Sequence, residues 1–549
     1  MSIVADLLLT DATILTMAPQ GPPRAGVVAL LGDRILHVGS DDAGLTAKRT
    51  VSLGGRCVVP GFHDAHQHMA WFGASLDEFD LSTPPIRNLE ALADAIATAA
   101  ASTPGDTWIV GNGYDENKIG GHPDRDLLER VAPGRRVLLT HTSGHMSVVS
   151  SAVLAQLGIS ESGCDVPGGT VVVDGSGRPT GLLQEQAQNL LAPLRRPVPV
   201  DDVAHAIARA SEVYVRQGIT SVVEAGVGGG WIGRTPVEVL AYQRARDAGQ
   251  LNVRVELMVA SDVLRMLPDD LGSGIDLGLR TGFGDDWLRL GPVKVFSDGS
   301  LIGHTAAMCH DFSDSPGVRG YLQDDADALA GTIVSAHRAG WRVATHAIGD
   351  AAIDLVLDAY QRCVRDYPWA GKREPRHRIE HFGVARPDQV LRAAQLGVVP
   401  VPQARFVGEI GDGMRAALGP QRSEWAYRFA SLLAAGLVVP GSSDRPVVDG
   451  RPMLGIHDMV NRRTASGEVL GAAEVVRAHD ALRAYTYGSA YASYEEDRKG
   501  WIGPGTLGDL AVLCDDPTNV DPGELADIEV LATVVGGRTV WDAGLGIAE

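Results

Sequence analysis

A chain of 549 residues with 45% hydrophobic and 21% charged side chains is long enough for one large barrel with additions and has the composition of a folded globular protein, which excludes a disordered or collagen-like chain. Its 48 Lys and Arg stand against 68 Asp and Glu, a formal charge of −20; with no local basic patch to offset it, that excess repels nucleic acid and anionic membranes. Five cysteines, Cys57, Cys164, Cys309, Cys363 and Cys514, form no CxxC pair, which argues against a disulfide framework and a thiolate zinc site. The segment Met1–Thr10 carries Asp6 inside a short apolar run and no basic residue, unlike a signal peptide or membrane anchor. The expectation is a cytoplasmic protein whose partner is a small molecule, with a homodimer as the default assembly.

In chain order, Asp6 to Met17, Gly26 to Leu31 and Ile35 to Val38 read as short strands separated by turns. The same pattern returns only at the far end, in Asp509 to Leu513 and in Val530 to Val535, which is followed by the turn Gly536-Gly537 and then Arg538 to Trp541. The two ends, residues 1–58 and 500–549, are expected to pair into one sheet domain.

Between them lie eight short apolar runs that suit buried parallel strands: Cys57 to Phe62, Thr220 to Glu224, Val253 to Val259, Leu288 to Phe296, Arg342 to His346, His377 to Glu380, Val398 to Val401 and Leu437 to Pro440. Helix-like stretches such as Ala326 to Arg338 and Pro387 to Leu396 separate them. Eight such units predict an α/β fold, a (β/α)8 TIM barrel over residues 59–70 and 216–499. Roughly 150 residues separate the first two runs, far more than a crossover needs. Residues 71–215, with a helical stretch from Leu89 to Ala101 and strand-like runs at Trp108 to Gly111 and Val137 to Thr140, are therefore expected as an insertion covering the active-site face.

His66 and His68 are two residues apart, a spacing that in extended chain projects both imidazoles to one side where they can meet one ion. Alone, the pair is a weak signal. Further ligand-capable residues fall at the ends of expected strands: Lys294, His346, His381 and Asp444. Barrel enzymes keep their sites at that face. A buried core histidine or a helix-capping aspartate explains any one of these residues, but not all of them together.

The ordered segments Pro60-Gly61-Phe62-His63-Asp64-Ala65-His66-Gln67-His68, Lys294 to Leu301, His346-Ala347-Ile348-Gly349-Asp350, Ile379-Glu380-His381-Phe382 and Gly441-Ser442-Ser443-Asp444-Arg445-Pro446 resemble the amidohydrolase superfamily. Its YtcJ-like branch, which includes N-substituted formamide deformylases, fits best, and the resemblance implies a distorted TIM barrel with a β-sandwich built from both chain ends. Within the insertion, Gly113-Tyr114-Asp115-Glu116 and Ser143-Gly144-His145-Met146-Ser147 resemble family segments near the pocket. The resemblance implies His66 and His68 as ligands of one metal, His346 and His381 as ligands of a second, Lys294 as a bridging carboxylated lysine, and Asp444 as ligand and proton shuttle. It implies Zn²⁺ as cofactor, one or two ions, with Lys294 N6-carboxylated if the site is binuclear. Three departures touch the pocket: His63 replaces an aliphatic residue, Lys118 falls near a usual aromatic, and His141-Thr142-Ser143 replaces an Arg/Asp-containing run. By strand parity His63 is expected to project away from His66.

The expected reaction is hydrolysis of a carbon–nitrogen bond, such as that of an N-substituted formamide, by a metal-activated water, with Asp444 moving the proton. His145 is expected to stabilise the oxyanion or hold the substrate. Tyr114, Asp115, Glu116 and Asp298 are the expected substrate-binding residues. Two alternatives share the same residues: an esterase or lactonase, and a non-catalytic metal-binding protein.

Overall fold

Six of the eight expected strands, joined by one that starts where the first expected run ends, form one parallel sheet in the computed structural model of the chain, which describes residues 4–19, 24–159, 161–369, 371 and 373–548. The strands are β1 (Phe62–Gln67), β2 (Ile219–Val227), β3 (Arg254–Ala260), β4 (Leu288–Phe296), β5 (Val343–Ala347), β6 (Arg378–His381) and β7 (Val399–Val401), each paired in parallel with the next. The eighth run, Leu437 to Pro440, is irregular. The segment just after it closes the barrel by two backbone bonds to β1: Ala65 N–H donates to Gly441 O at 3.0 Å, and Asp444 N–H donates to His66 O at 2.8 Å.

Alternation along the strands decides which side chains enter the barrel. On β4, Val293 and Val295 join the large core under the surrounding helices, so Lys294 between them faces the lumen. On β5, Val343 packs outward while Ala344 meets Val223, Ala225 and Met258 inside, which turns His346 inward as well. The helices Ala326–Arg338, Asp350–Asp366 and Pro387–Gln395 cover the outside, as the sequence predicts for the first and third.

The first expected strand, Cys57 to Phe62, is a correction: the run divides between two sheets. Cys57–Pro60 pairs with Leu510–Leu513 and Thr13–Leu15 in a six-stranded sheet built from both chain ends, and β1 begins two residues later. The break falls at Gly61, where the chain passes so close to β2 that a Cβ would lie 2.2 Å from Thr220 Cγ2. A four-stranded sheet of Val4–Thr10, Val27–Leu31, Arg34–Gly39 and Thr46–Ser52 packs on the six-stranded one through Leu7, Leu9, Val28, Val58, Leu510 and Val534. Met1 to Ile3, Gln20 to Pro23 and Glu549 of the expected terminal domain lie outside the described residues. The buried Arg254 ties this unit to the barrel, donating to both Asp509 oxygens at 2.8 and 3.0 Å.

Between β1 and β2 lies a second seven-stranded sheet, running in order Asp165–Val166, Gly169–Val173, Pro179–Glu185, Met146–Val149, Val137–His141, Ile109–Tyr114, Phe79–Asp80. It has cores of its own. Helix Leu89–Ser102 packs there, started by Asn88, whose side chain accepts from Ala91 N–H. No helix among the described residues is long and apolar enough to cross a membrane, and all five cysteines are free.

The C-terminal end of β1 runs straight into helix Met69–Ser75, which lies on helix Val200–Val215 so closely that a Cβ on Gly73 would stand 1.8 Å from Ala206 O. Gly73→Ala is therefore expected to cost about 1–3 kcal/mol by forcing the two helices apart. Thermal unfolding of the variant should show a midpoint lowered by several degrees; an unchanged midpoint would contradict this close packing.

Candidate metal centre

Three ligand-capable groups converge where β1 meets the closing segment. The ring nitrogens of His66 and His68 and a carboxylate oxygen of Asp444 all lie within 4.8 Å of one another, fully buried. Asp444 Oδ1 is 3.3 Å from Nε2 of both histidines, yet it has no aligned hydrogen-bond partner. Lone pairs pointing at one shared space, rather than at each other's protons, suit a cation.

The remaining expected ligands surround this group. Lys294 Nζ is 3.5 Å from His66 Nε2 and 4.7 Å from the centre of the Phe296 ring. The His381 ring lies 5.1 Å from that of His66 and 4.4 Å from that of His346. The structure thus brings His66, His68, Lys294, His346, His381 and Asp444 together in one cluster.

Each ring is oriented by a partner on its far side. His66 Nδ1 makes a very short contact to Glu380, which is gripped by Arg378 through 2.7 and 2.9 Å bonds. His68 Nδ1 faces Glu224 at 3.7 Å. His381 Nδ1 meets Gln403 Oε1 at 2.7 Å, leaving Nε2 for the site. His346 Nε2 meets Gly299 O at 3.2 Å, and its Nδ1 is buried with no partner, which makes it a ready ligand.

Burial dominates the electrostatics. It pushes the Lys294 ammonium down to about 8 against the pull of Glu380 and Asp444, and it lowers His346 well below and His381 to about 3, favouring the neutral, ligating forms. Burial alone would raise the Asp444 carboxyl, but contact with His66 and His68 holds it well below the usual range. Asp444 at φ 62°, His381 at 70° and Phe382 at 44° all occupy left-handed backbone, a strain that clusters at functional sites.

His145 stands on the insertion side, its ring 5.0 Å from that of His346. Its Nδ1 is held at 2.7 Å by Glu185, which also accepts from Thr305 Oγ1 at 2.6 Å and Gln323 Nε2 at 2.7 Å. A small cavity opens between the two halves, lined by Ser143, His145, His381 and Asp444 and by apolar side chains including Ile302, Phe406 and Val447.

The expected substrate-binding residues lie behind this surface. Asp298 is fully buried; its carboxylate accepts from the backbone N–H groups of Ile348, Gly349 and Ala307 at 2.8 to 3.0 Å. Burial pushes its carboxyl up to about 8. Its 3.4 Å approach to His346 is therefore between groups driven toward neutrality, not an ion pair. Tyr114 is buried in the insertion, with its hydroxyl 3.2 Å from His122 Nδ1. Asp115 caps the short helix Glu116–Ile119 by accepting from Asn117 N–H at 3.0 Å, and it pairs with Lys118 at 3.5 Å. Glu116 grips His141, whose Nδ1 bonds Ser143 at 2.8 Å, so it reaches the cavity only through Ser143. His63, pointing away from His66, lines a separate small cavity with Arg254, Arg289 and Lys499; neither ring nitrogen has a partner.

Glu224, Glu380, Arg378, Glu185 and Gln403 orient the site without standing out in the sequence. Glu380 sits inside the segment Ile379 to Phe382 and Glu224 ends the run Thr220 to Glu224, so an acidic residue at the end of a buried strand is their one signal. Glu185 and Gln403 carry none, since each lies at least 22 residues from the histidine it holds.

The amidohydrolase family pattern matches residues 49–541. The chain is 30% identical to the YtcJ protein of Bacillus subtilis over 90% of each chain. It is also 30% identical to the N-substituted formamide deformylase of Arthrobacter pascens over 98% of each. A solved metal-dependent hydrolase from Pyrococcus horikoshii superposes with a TM-score of 0.73 at 26% identity, covering 94% of this chain and 99% of the other. With its histidines, lysine and aspartate gathered at the barrel mouth, the chain belongs to the amidohydrolase family, as a metal-dependent enzyme acting on carbon–nitrogen bonds.

Proposed function

We propose that the protein hydrolyses the amide of a small molecule, an N-substituted formamide or close relative, with Zn²⁺ held by His66, His68, His346, His381 and Asp444. The observation that carries this reading is the convergence of His66, His68 and Asp444 within 4.8 Å beside a neutralised histidine pair and Lys294. Imidazole and carboxylate ligands of this number suit zinc. Lys294, buried and with its proton loosened toward 8, has the free amine needed to take up CO₂; as the resulting carbamate it would be an anion able to bridge two ions.

When bound, the metal supplies Lewis-acid polarisation of the scissile carbonyl and lowers the pKa of a nearby water. The side chains do the rest. Asp444, kept ionised by His66 and His68, accepts the proton from the attacking water and delivers it to the departing nitrogen. His145, fixed through Nδ1 by Glu185, turns its other nitrogen to the cavity, where it donates to the developing oxyanion. The apolar walls from Ile302, Phe406 and Val447 exclude water from that bond. The protein is placed in the cytoplasm in this reading, in line with its acidic surface charge and five unpaired cysteines.

Asp444→Asn should lower turnover of an N-substituted formamide by about two to four orders of magnitude, with circular dichroism unchanged. Turnover within a few-fold of the parent would remove Asp444 from the proton path. Glu380→Gln frees the His66 ring, so zinc affinity measured by competition with a chelator should fall about 10- to 100-fold; equal affinity would show that the ring needs no such support. Chelation should abolish turnover and lower the unfolding midpoint, and added Zn²⁺ should restore both. Matched esters assayed beside the amides distinguish the bond cleaved.

A further inference from the structure

A second and larger cavity adjoins the loop that carries His145. Gly144 lines it, while Ser143 and His145 line the small cavity at the metal centre, so the two cavities meet at this one turn of chain. Trp71 and Trp231 line its side nearest the metal centre. The Trp71 ring is 5.7 Å from the ring of His68, and that of Trp231 is 5.2 Å from the ring of His145 and 5.1 Å from that of Phe296.

The charged residues lining this cavity are Arg195, Arg196, Arg234 and Glu78, three cations and one anion, a net charge of +2 in a chain whose total is −20. Arg196 is committed to the fold: its two terminal nitrogens donate to the carbonyls of Gly230 and Trp231, anchoring the loop that presents Trp231 and Arg234. The other two guanidinium groups are not satisfied. Arg195 Nη1, Arg234 Nε, Trp231 Nε1 and Glu78 Oε2 are all buried atoms without a hydrogen-bond partner, and all four residues face the same space. Three unpaired donors beside excess positive charge describe an acceptor-rich, negatively charged ligand. Burial lowers Arg195 and Arg196 and raises Glu78, as expected of charges held in a poorly solvated chamber awaiting a counter-charge.

We propose that Arg195 and Arg234 recognise an oxyanion, a carboxylate or phosphonate, carried on the substrate beside its amide, which reaches the metal centre while a flat or aromatic side chain lies against Trp71 and Trp231. This rests on the proposed amide hydrolysis for the identity of the reacting bond, but the anion site stands on its own geometry. It makes the natural substrate class N-acylated amino acids or their aminophosphonate counterparts rather than neutral amides.

The test uses the full-length zinc-loaded enzyme with N-formylphenylalanine, the neutral N-formylphenethylamine, and the phosphonate analogue of the former. The carboxylate or the phosphonate substrate is expected to show the highest kcat/KM, and whichever does identifies the group recognised. Arg234→Gln and Arg195→Gln should each lower kcat/KM for that substrate about 10- to 100-fold, through KM, and leave the neutral formamide within about twofold. Arg234→Lys, which keeps the charge, should retain most of the preference. Equal kcat/KM for charged and neutral substrates in the parent, or equal losses on both in Arg234→Gln, would overturn the proposal while leaving amide hydrolysis intact.

Calorimetric binding of 3-phenylpropionate against 3-phenylpropanol gives a readout independent of turnover. Tighter binding of the acid that is lost in Arg234→Gln supports the anion site even if none of the formamides is hydrolysed, a result that would count against the formamide reading instead. Binding of the acid that Arg234→Gln leaves unchanged would overturn it.

Discussion

The barrel closes at its own reaction centre, and most of the site follows from that coincidence. The irregular segment around Gly441 to Asp444 joins β1 by the bonds Ala65 N–H to Gly441 O and Asp444 N–H to His66 O. Asp64 reinforces the seam: its carboxylate accepts from the backbone N–H groups of His66 and Ser443, both at 3.1 Å, and from the Ser443 hydroxyl. The hydrogen bonds that complete the fold therefore also set Asp444 against His66 and His68. A chain that fails to close has no metal site, and a metal that bridges these three residues draws the seam together.

Around this seam, polar groups are buried at a density that an apolar core would not tolerate without organised partners. Glu380 is fully buried, and Arg378 and His66 hold its carboxyl far below the usual range although burial alone would raise it. That arrangement leaves His66 with one nitrogen committed and the other aimed at the site. Gln403, Glu224 and the Gly299 carbonyl do the same for the other rings. The left-handed backbone at His381 and Asp444 persists because these contacts over-determine it.

The sequence made the barrel legible because parallel strands buried on both faces leave apolar runs, and those from Leu288 to Phe296 and from Val398 to Val401 fall within a residue of the observed strands. The run from Cys57 to Phe62 misled because Val58 and Val59 are as apolar in the terminal sheet as they would be in the barrel; only the close passage at Gly61 marks the transfer, and close approach is a three-dimensional fact. Ligand-capable residues at strand ends could be read in order along the chain. The backbone contacts of Asp298 could not be read, since a carboxylate that cradles three backbone N–H groups looks, as sequence, like one that greets a substrate. Arg195 and Arg234, 39 positions apart in the chain, meet only because the insertion folds back onto the loop following β2.

The grip of Glu185 on His145 has a further meaning. Glu185 ends a strand of the inserted sheet, yet it also bonds Thr305 and Gln323, which belong to the barrel's loops. The insertion therefore does more than roof the barrel: it lends the metal centre a histidine and is latched to the barrel by the residue that aims it. The two stretches of chain are thus not independent: any change in the inserted sheet that moves Glu185 also moves His145 against the cluster on the barrel. The inserted sheet, with cores of its own, is free to vary only away from that latch.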